Sequence, residues 1–208
     1  MRTNNPEKDV IEVAARVMAE SFMDYPLNKA VFDGIPSAME IMLESSASIL
    51  QGMLRNGTMH LLDDYPLGVV LGYESAKLRP MQEAIHKLRT NLRMVRRIPK
   101  EHRKTLIRNF KTYSKVMDFK WPKRHLKTDY YYIKVVALDQ SLRGSGAFRR
   151  LISPILEEYG SRGMPVALET HDERVESIYS HFGFQTVEVV EAEGIQIKQY
   201  CMVRWPDA

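Results

Sequence analysis

The stretch Tyr130 to Leu138 is nearly all apolar or aromatic, and it runs into Arg143-Gly144-Ser145-Gly146-Ala147-Phe148. Beyond that turn Phe148, Leu151, Ile152, Ile155, Leu156 and Tyr159 recur at helical spacing as far as Gly160. A strand that is apolar on both of its alternating sides must be covered on both faces, so this stretch belongs inside a sheet flanked by helices. Gly144 and Gly146 allow close backbone approach and point successive N–H groups outward, while the helix start adds positive partial charge. An anion is expected at such a turn. A plain tight strand-to-helix turn remains the other reading.

The rest of the chain builds around that unit. Val10, Val13, Ala14, Val17, Met18 and Phe22 follow Pro6 at helical spacing and predict a helix over 6–23, stopped by Asp24-Tyr25-Pro26. Ser37-Ala38-Met39-Glu40 reads as a capping box opening a helix over 38–55, closed by Asn56-Gly57. Thr58 to Leu62 and Leu67 to Tyr73 form a predicted hairpin around Asp63-Asp64-Tyr65-Pro66. A strand over 166–169, a helix over 173–182 and a hairpin of 185–190 with 195–204 complete the order. Pro154 lies inside the helix after the glycine turn and should bend it or open a bond, at about 3 kcal/mol unless compensated.

Charge is distributed unevenly. From Lys77 to Lys127 there are 17 Lys and Arg against three acids, although the whole chain carries a formal charge of only +4. Within this block Met81, Ala84, Ile85, Leu88, Leu92 and Val95 mark one amphipathic helix; Leu106, Ile107, Phe110, Tyr113 and Met117 mark a second beyond Ile98-Pro99. The expectation is one α/β (α+β) domain over 1–208. It has a mixed, mostly antiparallel sheet of about six strands, helices on both faces, and a basic helical insertion at about 77–127. No apolar run approaches the roughly 18 residues of a membrane span, so neither a span nor a membrane partner is expected. The start has no apolar signal region, and the single Cys201 cannot form an internal disulfide, which points to the cytoplasm. Cys201, in a predicted strand, reads as a structural thiol. No pair among the six histidines and the cysteine has metal-site spacing, so no metal is expected.

Other phosphate-binding patterns fail on spacing. Ala147-Phe148-Arg149 lacks the Gly-Lys-Ser/Thr end of a P-loop. A dinucleotide fold needs a third glycine where Arg149 stands and more chain than follows Glu169. A kinase glycine loop belongs near the first strands of its domain.

What remains resembles the GCN5-related N-acetyltransferase (GNAT) family. Its coenzyme motif, Gln/Arg-x-x-Gly-x-Gly/Ala, corresponds to Arg143, Gly146 and Phe148. Its next motif, an Asn-led loop and helix ending Tyr-x-x-x-Gly-Phe, corresponds to Asp172 through Tyr179-Ser180-His181-Phe182-Gly183-Phe184. Ala19-Glu20-Ser21-Phe22 with Asp24-Tyr25-Pro26-Leu27 looks like the first helix and loop of many members. The resemblance is closest over about 130–190, extends to 9–75 and leaves out the basic block. Two positions depart from it: Phe148 stands where the family keeps Gly or Ala beside the pyrophosphate, and Asp172 replaces Asn.

The resemblance implies acetyl-CoA as cosubstrate, held by Val136, Ala137 and Leu138 along the pantetheine and by Arg143, Gly144, Ser145, Gly146, Ala147, Phe148 and Asp172 around the phosphates. It implies that Leu138 N–H polarises the thioester carbonyl, that an amine attacks directly without an acyl-enzyme, and that Tyr179 protonates the departing thiolate. A phenol with a pKa of about 10 suits that exchange. Glu169 is the first candidate to take the amine's proton, with His171 second. The acceptor is then a small-molecule or peptide amine, anionic if the basic helices grip it, and a homodimer is compatible with the pattern. Two rivals stay open. One is a non-catalytic module that senses CoA or binds a partner; the other is a nucleic-acid binder using the basic helices.

Overall fold

The computed structural model describes residues 2–3, 8–62, 66–78 and 98–206. The first predicted basic helix, Met81 to Val95, and Asp63, Asp64 and Tyr65 of the predicted turn lie outside these residues. The helices are α1 (Lys8–Met23), α2 (Pro26–Val31), α3 (Ala38–Asn56), α4 (Lys100–Tyr113), α5 (Pro122–His125), α6 (Ala147–Ser161) and α7 (Glu173–His181). The strands are β1 (Arg2–Thr3), β2 (Thr58–Leu61), β3 (Gly68–Glu74), β4 (Tyr131–Leu138), β5 (Val166–Thr170), β6 (Gln185–Ala192) and β7 (Ile195–Arg204).

The sheet order is β1-β2-β3-β4-β5-β7-β6, and β4 with β5 is its parallel pair among antiparallel neighbours. The mixed, mostly antiparallel architecture is as expected. The strand beyond the expected six is β1, whose two residues pair with Met59 and His60 and are too few to show a period. Short α2 was also not foreseen, because Pro26 reads as a stop; at a first-turn position its missing N–H costs nothing.

Two expectations need correction. Ser37 does not cap α3 through its side chain: its ψ is 19° rather than extended, and its hydroxyl is buried without a partner among the described residues. A capping oxygen reaches the first-turn N–H groups from an extended residue, whereas here Ala38 N–H closes a turn onto Ile35 C=O at 3.2 Å. The apolar stripe expected along the second basic helix is split. No residue of α4 is buried; Leu106 packs toward Ile35, Ile41 and Ile98, whereas Ile107 and Phe110 point outward and Met117 lies past the helix end. The helix is attached along one flank only: Ile107 lies about 100° round the axis from Leu106, and Phe110, one turn beyond Leu106, borders the attached flank yet is exposed.

The sheet is covered on both faces. Leu151, Ile152, Ile155, Leu156 and Tyr159 of α6, with Tyr179 of α7, bury Val70, Tyr131, Ile133, Val166, Leu168 and Met202. On the other face α1 and α3 bury Met59, Leu61, Val69, Leu71, Val135 and Ala137. Alternation alone would keep Tyr131, Ile133, Val135 and Ala137 on one side. A register shift intervenes: Leu71 pairs with Val135 and Gly72 with Ile133, which leaves Lys134 as an extra residue in β4. That bulge turns the second half of β4 over and bends it away from the first.

The inserted segment completes the second face. Trp121, fully buried, and Leu126 pack with Tyr132, Ala167, Cys201 and Val203 over β4, β5 and β7. Gln199, also buried, fastens the approach to Trp121: it accepts from Asp118 N–H (2.6 Å) and donates to Asp118 C=O (2.7 Å). Arg124 adds contacts to Asp118 (2.6 Å) and Glu188 (2.7 Å). α6 runs unbroken through Pro154, whose exposed ring sits on the solvent side.

Candidate functional site

The parallel pair β4–β5 is joined at two positions, Tyr131 with Val166 and Tyr132 with Ala167. Beyond them the remaining residues of β4 continue along β3, and those of β5 pair only with β7. The strands therefore part, starting where the Lys134 bulge bends β4. In an antiparallel ladder successive residues direct their N–H and C=O groups to alternate sides. Asp139 N–H donates to Leu67 C=O across β3, so Leu138 N–H, one residue earlier, faces the opening.

The glycine turn stands at the same end. Asp139 caps the short helical turn Gln140–Leu142 by accepting from Ser141 N–H (2.9 Å), and Ser145 hydroxyl anchors to Leu142 C=O (2.7 Å). Gly144 and Gly146 both have φ of 76°, a left-handed conformation that L side chains adopt only with strain. A Cβ added at either would meet nothing within 4 Å, so open space lies over the turn. Gly146 is the N-cap of α6, whose first-turn N–H groups face that space. Arg143 and Ser145 are exposed, and Ala147 is buried beneath.

Phe148 does not enter this space. Its ring packs edge-on against Phe182 (5.1 Å between centroids) and Tyr179 (5.7 Å), tying α6 to α7. Asp172 likewise turns inward: it caps α7 by accepting from Arg174 N–H (2.9 Å), and Arg174 Nε lies 3.6 Å away. The negative charge expected near an anion is thus spent on a helix start and an arginine.

Tyr179 is buried among Phe148, Phe184 and the α6 face, and burial raises its phenol above the ordinary range. Among the described residues its hydroxyl has no hydrogen-bond partner. Glu169 lies on the part of β5 that has left β4, and its carboxylate accepts from Trp121 Nε1–H at 3.2 Å. Burial, opposed by that bond, pushes its pKa up to about 7. His171 is buried, with its pKa lowered by burial; Nε2 lies 2.9 Å from Val116 C=O and Nδ1 3.3 Å from Tyr25 hydroxyl. A carbonyl only accepts, so the proton sits on Nε2, and Nδ1 is left as an acceptor toward the Tyr25 hydroxyl. His181 sits on the exposed side of α7 against Ser177 C=O.

Tyr25 is the residue that sequence reasoning missed as a site member. Its hydroxyl meets Thr170 Oγ1 (3.2 Å), His171 Nδ1 and His171 N–H, and burial raises its pKa to about 12. It lies within electrostatic reach of Glu169, Asp172 and Tyr179. The available signal was its place in Asp24-Tyr25-Pro26, immediately after α1. Cys201 is buried on β7, where burial raises its thiol to about 12, in keeping with a structural role. Among the described residues no group of His, Cys, Asp or Glu is arranged to hold a metal.

No protein-family model matches the sequence, and no curated protein matches it. Solved structures do. The chain is similar to a histone acetyltransferase HPA2 and related acetyltransferase from Corynebacterium glutamicum (TM-score 0.64, 15% identity, covering 100% of this chain and 97% of that one). It is similar to arylalkylamine N-acetyltransferase 2 from Aedes aegypti (0.59, 17%, covering 100% and 99%). It is also similar to the polyamine N-acetyltransferase of Drosophila melanogaster, which forms N-acetylagmatine (0.55, 13%, covering 99% and 99%). These likenesses cover 99–100% of the chain, and on them the chain has the GCN5-related N-acetyltransferase fold.

Proposed function

We propose that this chain, a single domain over 1–208, is an acetyl-CoA-dependent N-acetyltransferase acting on a primary amine. The observation that carries the reading is the opening between β4 and β5, with Leu138 N–H facing into it and the glycine turn at its mouth. The residues fit acetyl-CoA: the space over Gly144 and Gly146 admits a pyrophosphate, and the unpaired side of β4 admits an extended pantetheine. Gly144, Gly146 and Phe148 would hold the phosphates through backbone N–H groups, with Arg143 beside them. Ser145 and Ala147 would shape the turn, Ser145 N–H donating to Leu142 C=O (3.2 Å) and Ala147 N–H to Ser145 Oγ (3.4 Å), and Val136, Ala137 and Leu138 would pair with the arm. When bound, acetyl-CoA supplies an acetyl group activated as a thioester.

The chain's own residues then divide the work. Leu138 N–H donates toward the acetyl oxygen as charge builds there. Glu169, with its pKa at about 7, accepts the proton from the amine at mildly alkaline pH. Tyr179, which burial keeps protonated and makes a weaker acid than the ordinary phenol expected from sequence, gives its proton to the departing sulfur as negative charge builds there. That solved structures of similar fold act on arylalkylamines and polyamines supports an amine acceptor.

Calorimetric titration with acetyl-CoA and CoA, followed by a thiol-release screen across amines, tests the reading. Micromolar binding with release from one amine class is expected; no heat at millimolar ligand would sink it. A second reading, a module that binds CoA without turnover, draws on the burial of Tyr179 beneath Phe148. Tight binding with no thiol release from any amine selects that one.

A further inference from the structure

Helix α4 is held along one flank. Leu106 packs on the Ile35, Ile41 and Ile98 cluster, Arg103 Nε donates to Ile98 C=O (3.0 Å), and Asn109 Nδ2 donates to the carbonyls of Val31 (3.2 Å) and Asp33 (3.1 Å). These bonds fix which side faces outward. Ile107 is 64% exposed on that side, and Phe110, one turn beyond Leu106 at the border of the attached flank, is 55% exposed; three residues apart, the two are neighbours on the helix surface. Lys100, Lys104 and Lys111 fall on the same face by helical phase and are exposed; Arg108 and Lys115 flank it, and none of the five has an ion-pair partner among the described residues. Glu101, the acid of this helix, is exposed beside Arg108 in phase, at the edge of this face, against the five cations.

Two bulky apolar side chains set among exposed cations without an ion-pair partner among the described residues, on a helix of low overall hydrophobicity, are what an interfacial helix presents to anionic lipid. We propose that α4 docks the protein on a negatively charged membrane surface. Ile107 and Phe110 enter the headgroup boundary, and the lysines meet the anionic headgroups. Nucleic acid would use the cations and stack on Phe110, but it offers an aliphatic side chain such as Ile107 no ring-on-base contact. The inference is independent of the acetyl-transfer reading and departs from the sequence-based expectation of no membrane partner. It requires no spanning helix, and none of the described helices is long and apolar enough to be one.

The test is co-sedimentation of the full chain with vesicles of phosphatidylcholine alone and of phosphatidylcholine with phosphatidylserine, at about 0.1 M salt. Binding to the anionic vesicles and not to the neutral ones is expected. Ile107→Ser with Phe110→Ser leaves the charge unchanged and should weaken partition roughly tenfold or more. Lys104→Gln with Lys111→Gln should also weaken it, and Val189→Ser, an exposed apolar residue of β6, should not. All of these side chains are exposed, so thermal melts should match wild type. Absence of binding to anionic vesicles overturns the proposal, as does full binding by the double serine variant. Preferential binding of single-stranded RNA or duplex DNA that survives the serine substitutions assigns the face to nucleic acid and also overturns it.

Discussion

The glycine turn and the inserted segment flank the same opening, and they are built by opposite means. The turn works with backbone: two left-handed glycines, a helix start and open space, all within Asp139 to Phe148. The insert works with side chains and carbonyls that reach across the chain. Trp121 meets Glu169 over a separation of 48 residues, Val116 meets His171 over 55, and Asp118 meets Gln199 over 81. In the proposed reading the first region would position an anion by backbone geometry alone, set by the left-handed Gly144 and Gly146. The second covers Glu169 and His171, whose pKa values burial raises and lowers respectively against the opposing bonds from Trp121 and Val116, and so depends on close packing. Substitutions in the two regions should therefore fail differently.

Trp121→Ala should have the largest effect, because it empties a fully buried site under β4, β5 and β7. A loss of about 3–5 kcal/mol is expected in urea denaturation, with coenzyme affinity of the folded protein nearly unchanged by calorimetry. A matching collapse of coenzyme affinity would show that the two regions are not separable. Tyr179→Phe keeps the ring against Phe148 and Phe184 and removes the proton donor. Turnover should fall on the order of 10²-fold with acetyl-CoA affinity unchanged; unaltered turnover removes Tyr179 from the chemistry.

Gly146→Val places a β-branched side chain at φ of 76°, where the protein itself offers no clash. Backbone strain of about 1–3 kcal/mol is expected, together with loss of coenzyme affinity from the branched side chain over the turn. Wild-type affinity there refutes the loop's role. Glu169→Gln gives the smallest and most pH-dependent change. A carboxyl whose folded pKa of about 7 exceeds its ordinary 4.5 contributes stability that is full below about 4.5 and is lost as pH rises through 7. The glutamine variant should therefore match wild type at low pH and exceed it by about 1–3 kcal/mol at pH 8, measured by urea midpoints. It should also lose the rise in turnover through pH 7.

Phe148 shows where sequence reasoning reached its limit. By position it threatened the phosphate space, yet its ring lies against Phe182 and Tyr179. The direction of a first-turn side chain depends on which helix packs beside it, and α7 is encoded some 25 residues later. Ile107 and Phe110 carry the same lesson in reverse: the apolar face read from their spacing is divided by how α4 attaches, Leu106 inward and Ile107 and Phe110 exposed.

Local order determined the elements. The apolar run of β4, the glycines after it, the period of α6 and the Tyr179 motif could all be read from neighbours in the chain, because hydrogen bonding and helical phase act over a few residues. Tertiary structure alone decided the Lys134 bulge that turns β4 over, the parting of β4 from β5, the hub at Tyr25 and the Trp121 bond that tunes Glu169. Those features arise where segments far apart in sequence compete for the same buried space, and no local pattern records the outcome of that competition.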